Sequence, residues 1–173
     1  MIFFPDNVFS EIQKVNELKT KWYEHQLMAL RETSLYILRD TEDVHVYRFL
    51  WLRTFHHPLA VRILVTQDGG TIISKICSGK GGYKPGWLFK NRSRTMSVDE
   101  KNNFMSMVES NSFWELDSTE HDVKGCDGAN WIIEGVKNRN YHIVDRWSPK
   151  SGPIKDLGLL FLSLGKIKTK KIY

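Results

Sequence analysis

The chain has 173 residues, 41% of them hydrophobic and 26% charged, with six Trp and nine Phe. That length suits one domain with a core of its own, and the aromatic content excludes a disordered chain. The formal charge of +5 gathers at one end. Without Lys166, Lys168, Lys170 and Lys171 the basic count falls from 25 to 21 against 20 acidic residues, so the body is nearly neutral, which weakens a nucleic-acid reading.

In chain order, Asp6 or Asn7 is expected to cap a first helix. Val8, Ile12, Val15 and Trp22 share its apolar face, and the helix runs, or breaks and resumes, through Leu27 to Leu30. The period then changes to two. Residues 44–54 alternate apolar on both faces, with Val46, Leu50 and Leu52 on one and Tyr47, Phe49 and Trp51 on the other, as in a central strand. Residues 59–67 and 71–78 form the next strand pair, joined at Asp68-Gly69-Gly70. A glycine-rich loop, 78–86, leads to a further strand over 87–94. Ser97 and Glu100 have the spacing of a capping box, and Phe104, Met107 and Val108 give the following helix its apolar face up to Asn111. Strands follow at 130–136 and 141–147, turning at Lys137–Asn140. Pro153 starts a last helix with a stripe of Leu157, Leu160, Phe161 and Leu164. If that stripe is core, Leu160→Ala costs about 2–5 kcal/mol.

Hairpin-length links favour antiparallel pairing. The expected fold is α+β: one antiparallel sheet of about five to six strands, packed by two internal helices, with an additional N-terminal helix. The expected division is an N-terminal helical appendage over 1–40, the α+β domain over 41–165 and a basic tail over 166–173. The tail reads as a solvated terminus that folding does not need.

No apolar run reaches the roughly 18 residues of a membrane span, and the opening MIFFPDN is too short for a signal peptide. The chain as it reads is expected in the cytoplasm, or in the periplasm if a signal has been removed. Cys77 and Cys126 are far apart with no CxxC, and read as unpaired thiols or, in an oxidising compartment, a disulfide.

The candidate chemistry is sparse. His56 and His57 offer a base or a metal ligand, but neighbours on an extended chain point to opposite sides. His121, five residues before Cys126, does not complete the usual zinc spacings, so no metal and no cofactor are expected. His142 and Arg146 share one strand face, and Tyr141, Ile143, Asp145 and Trp147 share the other. If the hairpin brings Glu134 toward His142 and Arg146, the three form a polar cluster, either an acid–base pair or a structural ion-pair network. Asp145 can pair with Arg53 or Arg146 at the strand end. The loop around Tyr83 and Trp87 lacks the closing residues of a phosphate-binding loop. It reads as a flexible loop that could also wrap a ligand. Ser148 lacks the elbow of a serine hydrolase.

The segments DGANWIIEG (127–135), NYHIVDRWSP (140–149) and GPIKDLGLLFL (152–162), with FLWLRTFHHPLAVRI (49–63) and GGYKPG (81–86), resemble those of a bacterial family of uncharacterised proteins. The resemblance covers roughly residues 45 to 164. It implies a bacterial source and an independent module; some members look exported, which counts against the cytoplasmic reading. It carries over no catalytic residue, ligand or partner.

The reading that results is a non-enzymatic protein-binding module whose partner is another protein. His56, His57, Tyr83, Trp87 and Trp147 are its candidate binding surface. One subclass is a toxin-neutralising immunity protein. The alternatives are a small enzyme using His142 with Glu134, or His56 and His57, and a binder of nucleic acid or anionic surfaces through the lysine tail, without sequence specificity.

Overall fold

The computed structural model describes residues 2–120, 125, 127–169 and 172. His121, Cys126, Lys170 and Lys171, which the sequence singled out, lie outside them.

Six antiparallel strands make one sheet in the order β4-β3-β2-β1-β5-β6. They are β1 (His45–Arg53), β2 (Leu59–Thr66), β3 (Gly69–Cys77), β4 (Leu88–Met96), β5 (Ala129–Lys137) and β6 (Asn140–Trp147). Four helices complete the fold: α1 (Gln13–Ala29), the one-turn α2 (Leu35–Leu38), α3 (Val98–Ser110) and α4 (Pro153–Leu164). The α+β architecture is therefore the expected one. No helix among the described residues is long and apolar enough to cross a membrane.

Strand alternation gives β1 two buried faces. Tyr47, Phe49 and Trp51 join Trp131 and Ile133 of β5 beneath Phe104 and Val108 of α3 and Leu157 and Phe161 of α4. On the opposite face, Leu50 and Leu52 join Ile132 and Cys77 beneath Phe3, Phe4, Phe9, Tyr23 and Leu27. The N-terminal segment thus supplies the upper half of a second core, built largely of edge-to-face rings such as Phe9–Tyr23, 5.0 Å apart.

That segment departs from its expected pattern. The helix begins at Gln13 with Ile12 as an N-cap that makes no side-chain bond, and it runs unbroken to Ala29. Its buried face is Asn16, Tyr23, Gln26 and Leu27, whereas Ile12 and Val15 are exposed. Apolar spacing misled because the buried polar groups have internal partners: Asn16 accepts from the Phe9 amide at 2.9 Å, and Gln26 donates to the Tyr83 carbonyl at 2.9 Å.

Other elements follow local chemistry closely. Ser97 and Glu100 form both bonds of the capping box at the start of α3. Pro153 begins α4 as its first residue. Gly158, in mid-helix, lets α4 lie against Trp131, since a Cβ there would come within 2.4 Å of the indole. The β2–β3 turn has Gln67 and Asp68 at its centre, since Thr66 pairs with Gly69. The glycine is needed one step later than expected, because Gly69 has φ +129° and a Cβ there would strike the Met96 carbonyl. Leu160 is only partly buried, and Ile154 and Leu162 fill the stripe in its place. The tail is not wholly solvated either: Ile167 packs on the main core, and Thr169 accepts from Arg53 at 3.0 Å.

Two expectations follow. Leu157→Ala should cost about 2–5 kcal/mol in chemical denaturation, and Leu160→Ala clearly less. The Glu100 carboxyl is held at about 2, chiefly by hydrogen bonds from Arg94 and from the Ser97 amide. A depressed carboxyl contributes stability that is fully present above its unfolded value and is lost as pH falls through its folded one. Thermal melts from pH 5 down to 2 should therefore fall less steeply for Glu100→Gln than for the parent; parallel curves would dismiss the contribution.

Candidate functional site

The expected cluster of Glu134, His142 and Arg146 does not form. The β5–β6 hairpin turns on Asn138 and Arg139, both at positive φ, so Lys137 faces Asn140 and Glu134 faces Ile143. Glu134 therefore stands on the face of Ile143 and Asp145, while His142 and Arg146 stand on the other. The turn lies at Lys137–Asn140 as expected, and the pairing that turn dictates sets Glu134 opposite Ile143 rather than His142.

Glu134 instead meets Arg48 of β1, its direct cross-strand neighbour. Arg48 Nε donates to Glu134 Oε2 at 2.8 Å, and the Tyr141 hydroxyl donates to Oε1 at 3.0 Å. Arg48 also donates to the Thr33 carbonyl at 2.7 Å and lies 3.4 Å from Glu32. Lys75 and Arg62 reach Glu32 from β3 and β2, at 2.7 and 3.4 Å. Burial pushes the Glu134 carboxyl up, and the Arg48 charge and hydrogen bonds oppose that shift. With all its members held by one another, this is a structural network.

His142 packs edge-on against Phe113 at 5.1 Å, and burial lowers its pKa. Its Nε2 is buried with no hydrogen-bond partner among the described residues. It borders an open groove of about 460 Å³ with Trp114, Lys137, Asn138, Asn140 and Tyr141, and none of these described lining residues is a carboxylate.

Asp145 is buried on the α1 side. Lys19 Nζ donates to it at 2.8 Å, the Tyr23 hydroxyl at 2.9 Å and Asn130 Nδ2 at 3.2 Å. Burial first, then the Asp145 charge, raises the Tyr23 phenol well above its ordinary value, so it remains a donor. Neither arginine pairs with the Asp145 carboxylate, although Arg146 donates to the Asp145 backbone carbonyl at 2.9 Å. Arg146 pairs with Glu120 at 3.1 Å, and Arg53 lies over the Trp51 ring at 4.2 Å. A cleft of about 310 Å³, bordered by Trp22, Trp147, Lys19 and Asn130, opens onto Asp145.

The remaining predicted residues meet at one end of the sheet. The 54–57 turn and the 78–87 loop are laced together: the Gly81 amide donates to His56 O at 2.8 Å, the Gly82 amide to Thr54 O at 3.2 Å, and His57 Nδ1 to Gly79 O at 2.9 Å. The loop is also held by α1, since Trp22 Nε1 donates to Gly81 O at 2.9 Å and Gln26 donates to the carbonyls of Gly81 and Tyr83. On this frame Trp87 is 73% exposed and Tyr83 59%, with Phe55 and Phe89 also open to solvent. Phe55 lies 6.2 Å from Tyr83, and His57 lies 5.3 Å from Phe89. Trp147, at the end of β6, joins this end of the sheet beside Gly128, whose carbonyl accepts from the Thr54 amide.

Sequence reasoning missed Phe55 and Phe89, although both adjoin residues it singled out. It also missed Lys19, Tyr23 and Asn130 around Asp145, for which no local pattern exists. Among the described residues, no three or more His, Cys, Asp or Glu converge as metal ligands. Compared with protein-family models, curated proteins and solved structures, the chain matches none.

Glu134→Ala should leave Arg48 buried with only the longer, 3.4 Å contact to Glu32 as carboxylate partner and cost about 3–5 kcal/mol. Arg48→Met combined with Glu134→Leu should recover most of that loss in urea unfolding. A double variant as unstable as the single one would mean that the charges do more than satisfy each other.

Proposed function

We propose that the chain is a protein-binding module and that its contact surface is the aromatic end of the sheet. The observation that carries this reading is the group of Phe55, Tyr83, Trp87 and Phe89, exposed at one end of the sheet on loops tied down by backbone hydrogen bonds and on the start of β4. Large rings left in water forgo about 25 cal/mol per Å² of burial, so several of them at one sheet end on a fixed frame favour a surface that another molecule covers. Aromatic residues are enriched at the centres of protein interfaces, and a frame already ordered loses little entropy on binding. An immunity-type role is one form of this activity, with the rings seated on a toxin's surface. The enzyme reading that paired His142 with Glu134 has no support from the register, which puts the two on opposite faces.

A photocrosslinking phenylalanine analogue at Trp87, expressed in the native host, should give discrete adducts with another protein. The same analogue at Leu159, an exposed position on α4, should not. Trp87→Ala should leave the melting temperature unchanged. Adducts no different between the two positions would end the proposal.

A further inference from the structure

We infer that β4 docks an acidic, extended segment of a partner protein, which adds to the sheet as a seventh strand. This rests on the protein-binding reading above and names the partner's chemistry.

The two edges of the sheet are treated differently. Along β6, the Asp145 amide donates to Ser118 O at 2.7 Å and Thr119 forms a parallel bridge with Asp145. β4, at the other edge, has no strand beyond it among the described residues. It is nine residues long, contains no proline, and is exposed from Phe89 to Ser93.

The backbone groups that a new strand needs can be assigned. Thr66 and Gly69 close a two-residue hairpin, so Gly69 turns its amide and carbonyl toward β2 and Gly70 turns them toward β4. Carrying the alternation across the β3–β4 register, Arg92 and Arg94 bond inward to β3. Asn91, Ser93 and Thr95 direct their N–H and C=O groups outward.

Charge selects the partner. From Gly69 to Val98 the chain has six basic residues and no acidic one. Lys75 and Arg94 are engaged by Glu32 and Glu100. Lys80, Lys84, Lys90 and Arg92 are exposed around the strand and its leading loop. A second copy of this chain is a poor occupant: antiparallel β4 strands centred on Arg92 would set basic side chains against basic ones, which is destabilising. Basic residues on an edge can also serve only to keep other strands away. Here, however, the outward-bonding positions carry neither charge nor proline, and the strand begins beside the exposed Trp87 and Phe89, which a purely repellent edge would not present. Strand addition uses such an edge for affinity and the flanking side chains for selection.

The probe is a fluorescein-labelled ten-residue peptide of alternating Glu and Val, followed by fluorescence anisotropy. The parent protein should bind it, more weakly as salt rises, and should ignore the matching Lys–Val peptide. Ser93→Pro removes an outward N–H without touching the β3 ladder, so the protein should fold and lose affinity by about tenfold or more. Lys90→Glu with Arg92→Glu, which leaves the backbone alone, should do the same. The inference falls if the acidic peptide does not bind, if folded Ser93→Pro binds as tightly as the parent, or if oligothymidylate displaces the peptide and binds both proteins equally. Crosslinking at Trp87 that persists in any of those cases would keep the protein-binding reading while removing strand addition.

Discussion

The structure is organised around one buried ion pair, Arg48 with Glu134, on the two central strands. Both side chains are removed from water, on the sheet face that the N-terminal segment covers. A guanidinium in that position is tolerable only when its donors are all directed at acceptors. Glu134 takes Nε, and the Thr33 carbonyl and Glu32 take Nη1, so the chain between α1 and α2 must lie across the sheet. The same Glu32 then draws Arg62 and Lys75 inward from β2 and β3. Charge satisfaction and apolar burial thus demand the same placement of the N-terminal residues. An apolar face alone would set their depth but not their register.

That placement decides what each end of the sheet can do. At the hairpin end, the β5–β6 turn borders an open groove beside His142. At the other end, α1 brings Lys19 and Tyr23 over Asp145 and brings Trp22 and Gln26 to the glycine-rich loop. The second group holds exposed aromatics in fixed positions. The first closes over a carboxylate that would otherwise be stranded at the end of β6. The chemistry of the molecule is therefore concentrated where six strand ends and their loops meet.

What was readable in the residues was local. The alternation of residues 44–54, the Ser97–Glu100 box and the Gly152-Pro153 start each contain their own physical cause, and those elements lie where expected. Which face a residue occupies along one strand was also legible, as for His142 against Asp145. Relations between strands were not: the Lys137–Asn140 turn lay where expected, yet the pairing it dictates puts Glu134 on the face away from His142, and its actual partner, Arg48, comes from a strand far away in the chain. The α1 face was hidden for a different reason: Asn16, Tyr23 and Gln26 look like solvent-facing residues until their partners, distant in sequence, are placed beside them. His56, His57, Tyr83, Trp87 and Trp147 were recognisable as aromatics and imidazoles near turns. Their convergence at one sheet end follows from strand direction alone, since alternate connections of an antiparallel sheet return to the same side.

The hydrogen bonds from Trp22 and Gln26 to the loop carbonyls make the exposed aromatic surface and the docking of α1 a single equilibrium. A molecule that grips the loop in its present shape must also favour α1 seated on the sheet, and by reciprocity anything that lifts α1 must weaken the grip by the same factor. The N-terminal helix, with its own exposed outer face, is thereby a place from which the far side of the loop can be controlled without being touched.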